Sequence, residues 1–139
     1  MRREEWRWKF LSFELDDGTQ PVQSWFDGLP PEVRDEIGDL IRHLEKIRDS
    51  LWRRPEFDPL VGEGGISELR ASDVRLQIGG KVKVITARIY GFFGPGNGEY
   101  TFLHGTNKRT KNDKAGKRIG KDRLNQITNG LARVHEFKF

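Results

Sequence analysis

The spacing of apolar residues changes once along this chain, from the period of a helix to the period of a strand. Apolar residues from Val33 to Leu51 fall on one helical stripe, which predicts an amphipathic helix. From Ile66 to Leu103 apolar residues mostly alternate with polar ones, in runs separated by Gly79-Gly80 and by the glycine-rich stretch 94–98. A helical segment followed by a separate run of strands predicts an α+β protein with an antiparallel sheet.

Three further segments complete the predicted fold. Aromatic and aliphatic residues alternate from Trp6 to Leu15, which predicts a strand, and the phase change at Phe10-Leu11 predicts a bulge or burial on both faces. Pro21 is placed to begin a short helix. Apolar residues return on a roughly helical stripe from 113 to 134, although glycines there weaken the prediction.

We therefore expect one domain over residues 1–139. Its antiparallel-rich central sheet is expected to pack against an N-terminal helical hairpin and to be followed by a C-terminal helix. The prolines and glycines of residues 55–65 predict a loop between the second helix and the sheet.

The charges are divided unevenly along the chain. Residues 1–70 hold 11 Lys+Arg and 16 Asp+Glu, whereas residues 71–139 hold 14 and 5, so the net charges are −5 and +9. The imbalance is sharpest between His104 and Arg123, where eight cations face only two carboxylates. Such a segment favours a polyanionic partner, nucleic acid first, although a solvated helix face is the common alternative.

Several kinds of site and location are disfavoured by composition. The chain has no cysteine and three histidines, and no two histidines have the helical spacing of a zinc site, so neither a metal nor a cofactor is expected. Charges interrupt every apolar run, so no membrane span or signal peptide is expected. We expect a cytoplasmic protein.

The candidate functional residues are cations on or beside the predicted strands. The set comprises Arg70, Arg88, Lys108, Arg109 and Lys111. Adjacent antiparallel strands would bring these groups around one phosphate. Alternatively, Arg70 pairs with Glu68 or Asp73, Arg88 faces outward from its strand, and the Lys/Arg run is solvated.

Two further residues are candidates for proton transfer. His104 lies where a strand meets the basic segment, and imidazole exchanges protons near neutral pH. Tyr90 would qualify if nearby cations lowered its pKa, but a core aromatic residue is the simpler interpretation. His43 and His135 are interpreted as structural.

An ordered set of short motifs resembles a known family. The motifs are Pro21-Val22-Gln23-Ser24-Trp25-Phe26-Asp27-Gly28-Leu29-Pro30, Ile66-Ser67-Glu68-Leu69-Arg70, Ala87-Arg88-Ile89-Tyr90-Gly91-Phe92 and Phe102-Leu103-His104-Gly105. Together they resemble the RelE-like toxins of the RelE/ParE superfamily, and in particular the phage-derived HigB-like branch. This resemblance implies the toxin of a type II toxin–antitoxin system, which cleaves messenger RNA on the ribosome without a metal and is neutralised by a cognate antitoxin protein.

The resemblance also implies roles for individual residues. Arg70 and Arg88 match the family's strand arginines, which would clamp the phosphate, while Lys108 and Arg109 would assist catalysis and His104 would act as an acid or base. Contacts to RNA are expected from Lys111, Lys114, Lys117, Arg118 and Tyr90.

This sequence departs from the family pattern in one clear place. Residues 72–86 are longer than the usual turn between the two arginine strands, so an extra hairpin or an extended strand pair is expected. A carboxy-terminal acid/base tyrosine is also missing.

Two other functions stay open: a ParE-like toxin that inhibits DNA gyrase without cleaving RNA, and a non-catalytic nucleic-acid-binding phage or accessory protein.

Overall fold

The computed structural model describes residues 7–107 and 112–139, and in these residues strands and helices are mixed along the chain. The elements, in order, are β1 (Lys9–Glu14), α1 (Pro21–Asp27), α2 (Pro31–Leu44), a short 3-10 helix (Asp49–Leu51), β2 (Phe57–Pro59), β3 (Ser67–Arg70), β4 (Val74–Ile78), β5 (Lys81–Ile85), β6 (Arg88–Phe93), β7 (Glu99–Thr106), α3 (Lys114–Thr128) and β8 (Arg133–Glu136). The mixed α+β class is confirmed.

Six of the strands form one sheet in the order β2-β3-β6-β7-β1-β8. Every neighbouring pair is antiparallel except β1 and β7, which run parallel. The first strand of the chain therefore lies inside the sheet. This position explains the apolar residues on both sides of β1, because Phe10, Leu11 and Phe13 are all buried.

One face of the sheet is covered by α1 and α2. Both helices begin at a proline, which suits the first helical turn because its N–H has no partner within the helix. Their buried side chains, such as Phe26 and Ile41, share one hydrophobic cluster with Phe10 and Phe102 of the sheet. Strand β1 precedes both helices, so the helical pair is not the first element of the chain.

The opposite face is covered by α3. A second hydrophobic cluster joins Phe13, Tyr90 and Leu103 of the sheet to the partly buried Leu124 and Ile127 of the helix. Among the described residues α3 is the longest helix, with 15 residues, and no helix of this part of the chain is long and apolar enough to cross a membrane.

Strands β4 and β5, which follow β3 and precede β6 along the chain, form a separate two-stranded sheet. The long segment 72–86 thus folds as an extra hairpin, which was one of the two forms predicted for it. We call residues 74–85 the hairpin arm.

Three predicted boundaries are wrong. Helix α2 ends at Leu44, and Leu51 is exposed in the 3-10 helix although it continues the helical stripe. Gly130, with a φ of +73°, follows α3, and Val134 lies in strand β8, where it pairs with Phe13 of β1. The predicted loop 55–65 contains the short strand β2 at the edge of the sheet.

Candidate active site

The two strand arginines face each other across neighbouring strands. Arg70 ends β3, Arg88 begins β6, and the two are direct partners in the antiparallel register. Side chains opposite each other in an antiparallel pair project from the same face. The structure therefore brings together two of the residues predicted for catalysis.

A single carboxylate joins these arginines. Oε1 of Glu68 lies 3.4 Å from Nε of Arg88 and 3.7 Å from Nη2 of Arg70. Glu68 precedes Arg70 by two residues on β3, so both side chains are on one face of the sheet. We call Glu68, Arg70 and Arg88 the arginine cluster. Its formal charge is +1, because one carboxylate faces two guanidinium groups.

The two arginines differ in their access to solvent. The side chain of Arg88 is 9% exposed and that of Glu68 is 10% exposed, whereas that of Arg70 is 45% exposed. An arriving anion would meet Arg70 first and would reach Arg88 only by competing with Glu68. Of the alternatives weighed above, the pairing of Arg70 with Glu68 is present, whereas Arg88 does not face outward into solvent.

A cleft of about 260 Å³ opens beside the arginine cluster. Its lining includes Glu68 and Arg70 together with Arg54 and Asp58, which pair with each other at 3.0 Å. With two cations and two carboxylates, the cleft is balanced in charge. A strongly anionic ligand would therefore need cations from outside these residues.

Tyr90 lies on the same face of the sheet, between Glu68 on β3 and His104 on β7. Its ring is buried, and its hydroxyl donates to Oδ2 of Asp113 at 3.2 Å. Burial, and then the charge of Asp113, raise the pKa of the Tyr90 phenol above its ordinary value. The phenol is thus held as a protonated donor, and its predicted contact with RNA stays a prediction.

His104 lies beside Tyr90 on β7. The two rings stack with their planes 4° apart and their centroids 6.3 Å apart. Thr106, two residues further along β7, is the register partner of Arg88, so His104 is a diagonal neighbour of that arginine on the next strand. The half-buried imidazole therefore borders the arginine cluster, which is compatible with its predicted acid or base role.

Asp113 connects this face to the start of α3. Oδ1 of Asp113 accepts the backbone N–H of Gly116 at 3.0 Å, which caps the helix. The predicted helix start is confirmed here. A Cβ placed on Gly116 would overlap the capping carboxylate of Asp113 and lie 2.9 Å from Cε2 of Tyr90, so the glycine allows both the cap and the close approach of α3 to β6. This packing explains Gly116, one of the glycines that weakened the helix prediction.

The basic segment 104–123 separates into three groups. Lys121 pairs with Glu63 at 2.8 Å, and Arg123 donates to the carbonyl oxygen of Leu103 at 2.7 Å, so both have structural contacts. Lys114 and Arg118 are exposed in the first turns of α3, and Lys117 is half-buried. Lys108, Arg109 and Lys111 lie outside the described residues.

Lys114, Lys117 and Arg118 lie in the first turns of α3, near the positive end of the helix dipole. Lysine and arginine there are unfavourable for the helix, and the capping carboxylate of Asp113 offsets them in part. Lys114 and Arg118 would attract an anion such as phosphate, although the carboxylate of Asp113 already accepts the N–H of Gly116 at this end of the helix. This end of α3 also lies beside Tyr90, on the same face as the arginine cluster.

Sequence reasoning missed two parts of this site. Glu68 was weighed only as a partner of Arg70, and its pairing with Arg88 was not foreseen. Asp113 was foreseen as a helix start but not as the acceptor of the Tyr90 hydroxyl. The contact of Glu68 with the arginines could have been predicted, because Glu68 and Arg70 are two residues apart on a strand and so share a face. The hydrogen bond between Tyr90 and Asp113 could not, because it depends on how α3 crosses the sheet.

No protein-family model matches this sequence, and no curated protein shows significant similarity to it. Within residues 7–107 and 112–139, no group of three or more His, Asp or Glu side chains is arranged to hold a metal ion. The function is therefore inferred from the site geometry and from the motifs.

Proposed function

We propose that this protein is the toxin of a type II toxin–antitoxin system, with a RelE-like fold, and that it cleaves messenger RNA on the ribosome without a metal. The main support is the direct pairing of Arg70 with Arg88 on one face of the sheet, next to His104. The element order, in which a strand, two helices, an antiparallel set, a third helix and a short strand follow one another, contains the succession that the motifs suggested.

In the proposed reaction, a ribose 2′-oxygen attacks the adjacent phosphorus and expels the 5′-oxygen of the next nucleotide. A base removes the 2′-hydroxyl proton, and an acid protonates the leaving oxygen. The products are a 2′,3′-cyclic phosphate and a 5′-hydroxyl. Negative charge builds on the non-bridging oxygens in the transition state, where guanidinium groups stabilise it most.

Each residue of the site is given one part in this reaction. Arg70, the more exposed arginine, binds a non-bridging oxygen, and Arg88 joins it when the phosphate displaces Glu68. His104 serves as the acid. One of the lysines Lys108 and Lys111 serves as the base, and Arg109 adds positive charge near the phosphate. Lys114, Lys117 and Arg118 hold the RNA backbone.

The proposal includes the cell compartment and the partners. Messenger RNA and ribosomes place the protein in the cytoplasm. The balanced charge of the cleft agrees with a requirement for the ribosome, since the RNA must be presented rather than captured by charge alone. A cognate antitoxin is the expected protein partner.

Expression in bacteria, with mapping of transcript 5′ ends, tests the proposal. We expect growth arrest and new 5′-hydroxyl ends in phase with codons, and we expect Arg70→Ala or Lys108→Ala to relieve both effects. Arg48→Ala is the control, because this arginine is exposed at the start of the 3-10 helix. Arrest with intact transcripts and altered DNA supercoiling would instead indicate the gyrase function.

One observation favours a second function, that of a non-catalytic nucleic-acid-binding protein. Glu68 contacts both arginines, and Tyr90 is tied to Asp113, so two candidate groups already have partners within the protein. RNA binding by the purified protein, without growth arrest on expression, would support this function over the nuclease.

A further inference from the structure

The hairpin arm has a buried base and an exposed tip. Val74 and Ile85 pair with each other and are buried. Leu76 packs against the hydrophobic cluster that lies between the sheet and helices α1 and α2. From Gln77 to Lys83 every residue is exposed. Gly79 and Gly80 form the turn with φ of +59° and +77°, values that suit a two-residue hairpin loop. The arm is thus anchored at one end and open to solvent at the other.

All the charges of the hairpin arm are positive. Arg75, Lys81 and Lys83 are its charged residues, and residues 74–85 contain no carboxylate. In the part of the chain that the structure describes, no carboxylate oxygen lies within 4.0 Å of these three cations. Three cations without counter-charges on a narrow ribbon attract a polyanion.

The apolar residues of the tip are divided between its two faces. Ile78 pairs with Lys81 and Val82 pairs with Gln77, so each face carries one apolar residue beside one polar residue. Ile78 and Val82 are 55% and 58% exposed. Protein interfaces generally have a broad apolar centre, whereas each face here adds to its tip residue only one partly buried neighbour, Leu76 or Val84. Single apolar side chains among cations are better suited to the sugar and base edges of a nucleic acid.

The arm begins and ends beside the arginine cluster. Its first residue follows Arg70 by four positions, and its last precedes Arg88 by three. The linking segments contact each other through the N–H of Ala71 and the carbonyl oxygen of Ala87, at 3.0 Å. A nucleic acid bound at the base of the arm would therefore lie close to the ends of β3 and β6 that carry Arg70 and Arg88.

We propose that the hairpin arm docks on double-helical RNA, which for a ribosome-dependent nuclease is RNA of the ribosome. This inference rests on the proposed function. Each strand has five residues and spans about 16 Å, and the two strands lie about 5 Å apart. A ribbon of this size fits against the wide, shallow minor groove of A-form RNA, where Lys81 and Lys83 on one face and Arg75 on the other reach the two flanking phosphate backbones.

The test compares two triple variants of the full chain made by cell-free synthesis. R75Q/K81Q/K83Q removes the charges of the arm, and K9Q/K46Q/R48Q removes one arginine and two lysines that are exposed elsewhere. The probe is a fluorescent 20-base-pair RNA duplex. We expect the arm variant to bind about tenfold more weakly at 0.1 M salt, with a smaller salt dependence, and the control to bind like the parent protein.

Binding of the duplex by the arm variant as tightly as by the control would overturn the inference. A shift from dimer to monomer in I78S/V82S, with unchanged RNA binding, would assign the tip to self-association and would also overturn it. Ribosome-dependent cleavage of a messenger RNA is measured in parallel. The two proposals can fail separately. If the parent protein binds the duplex but cleaves no messenger RNA, and the arm variant loses duplex binding, RNA docking by the arm is supported and the nuclease function is rejected.

Discussion

Tyr90 on β6 donates its phenolic hydrogen to Oδ2 of Asp113, which also caps α3 through its other oxygen. The two donor–acceptor distances are 3.2 Å from the Tyr90 hydroxyl and 3.0 Å from the N–H of Gly116. One buried carboxylate therefore fastens the start of α3 to the sheet. The basic first turns of the helix are held beside the arginine cluster by this contact.

Replacement of Asp113 is expected to cost more stability than loss of the tyrosine hydroxyl. Asp113→Ala removes the cap and leaves the buried hydroxyl of Tyr90 without its acceptor, so we expect a loss of about 2 to 4 kcal/mol. Tyr90→Phe removes only one hydrogen bond and should cost about 1 kcal/mol. Urea denaturation measures both values. Equal losses for the two variants would contradict the double role of Asp113.

The ionisation of tyrosine should follow unfolding rather than precede it. Tyr90 and Tyr100 are the two tyrosines of the chain, and burial raises the pKa of both phenols. Their stabilising contribution is complete below the ordinary tyrosine pKa of about 10, and it is lost as the pH rises above that value. Absorbance at 295 nm should therefore rise together with loss of the far-ultraviolet circular dichroism signal. A rise near pH 10 in folded protein would contradict this expectation.

The contact between Glu68 and Arg88 should appear as a large coupling energy. Glu68→Gln removes the carboxylate that faces the buried guanidinium of Arg88, and we expect this to cost about 3 kcal/mol. Arg88→Gln should cost less, because Glu68 keeps its longer contact with Arg70. The double variant removes both charges and should cost less than the two single losses together, by about 1 to 3 kcal/mol. Chemical denaturation of the four proteins gives the coupling energy. Strictly additive losses would show that the two side chains act independently.

Two glycines of α3 should respond differently to alanine. Alanine favours a helix over glycine by about 1 kcal/mol. At Gly116 a Cβ would overlap Oδ2 of Asp113 and lie 2.9 Å from the ring of Tyr90, and we expect a net loss of about 2 kcal/mol because the capping carboxylate and the helix must shift. At Gly120 the nearest atom would be 3.4 Å away, so the stability should change by less than about 1 kcal/mol. Thermal unfolding of both variants checks the difference.

Apolar spacing was sufficient to predict the central elements of this fold. The amphipathic pattern after Pro31 and the alternation from Ile66 onward correspond to α2 and to the strands β3 to β7. Short edge strands were missed, because β2 and β8 have three and four residues and are defined by pairing with distant strands. The apolar stripe predicted that α2 continues toward Leu51, but Ile47 is partly buried against the core without being part of a helix.

The candidate site was predictable only where residues share a strand or directly adjacent strands. The meeting of Arg70 with Arg88 follows from an antiparallel pairing of the two arginine strands. The burial of Arg88 and the placement of Asp113 depend on how α3 crosses the sheet, which no local pattern reveals. Lys108, Arg109 and Lys111, which carry part of the proposed chemistry, stay predictions.

The position of β1 in the sheet determines when this protein can become functional during its synthesis. Lys9 of β1 pairs with Glu99 of β7, about 90 residues later, and β8 joins the other side of β1 later still. Contacts between such distant segments slow folding, and the first strand has neither neighbour until most of the chain has been made. A nascent chain would thus carry Arg70 and Arg88 for some time before the finished sheet surrounds them, so the arginine cluster is completed only near the end of synthesis.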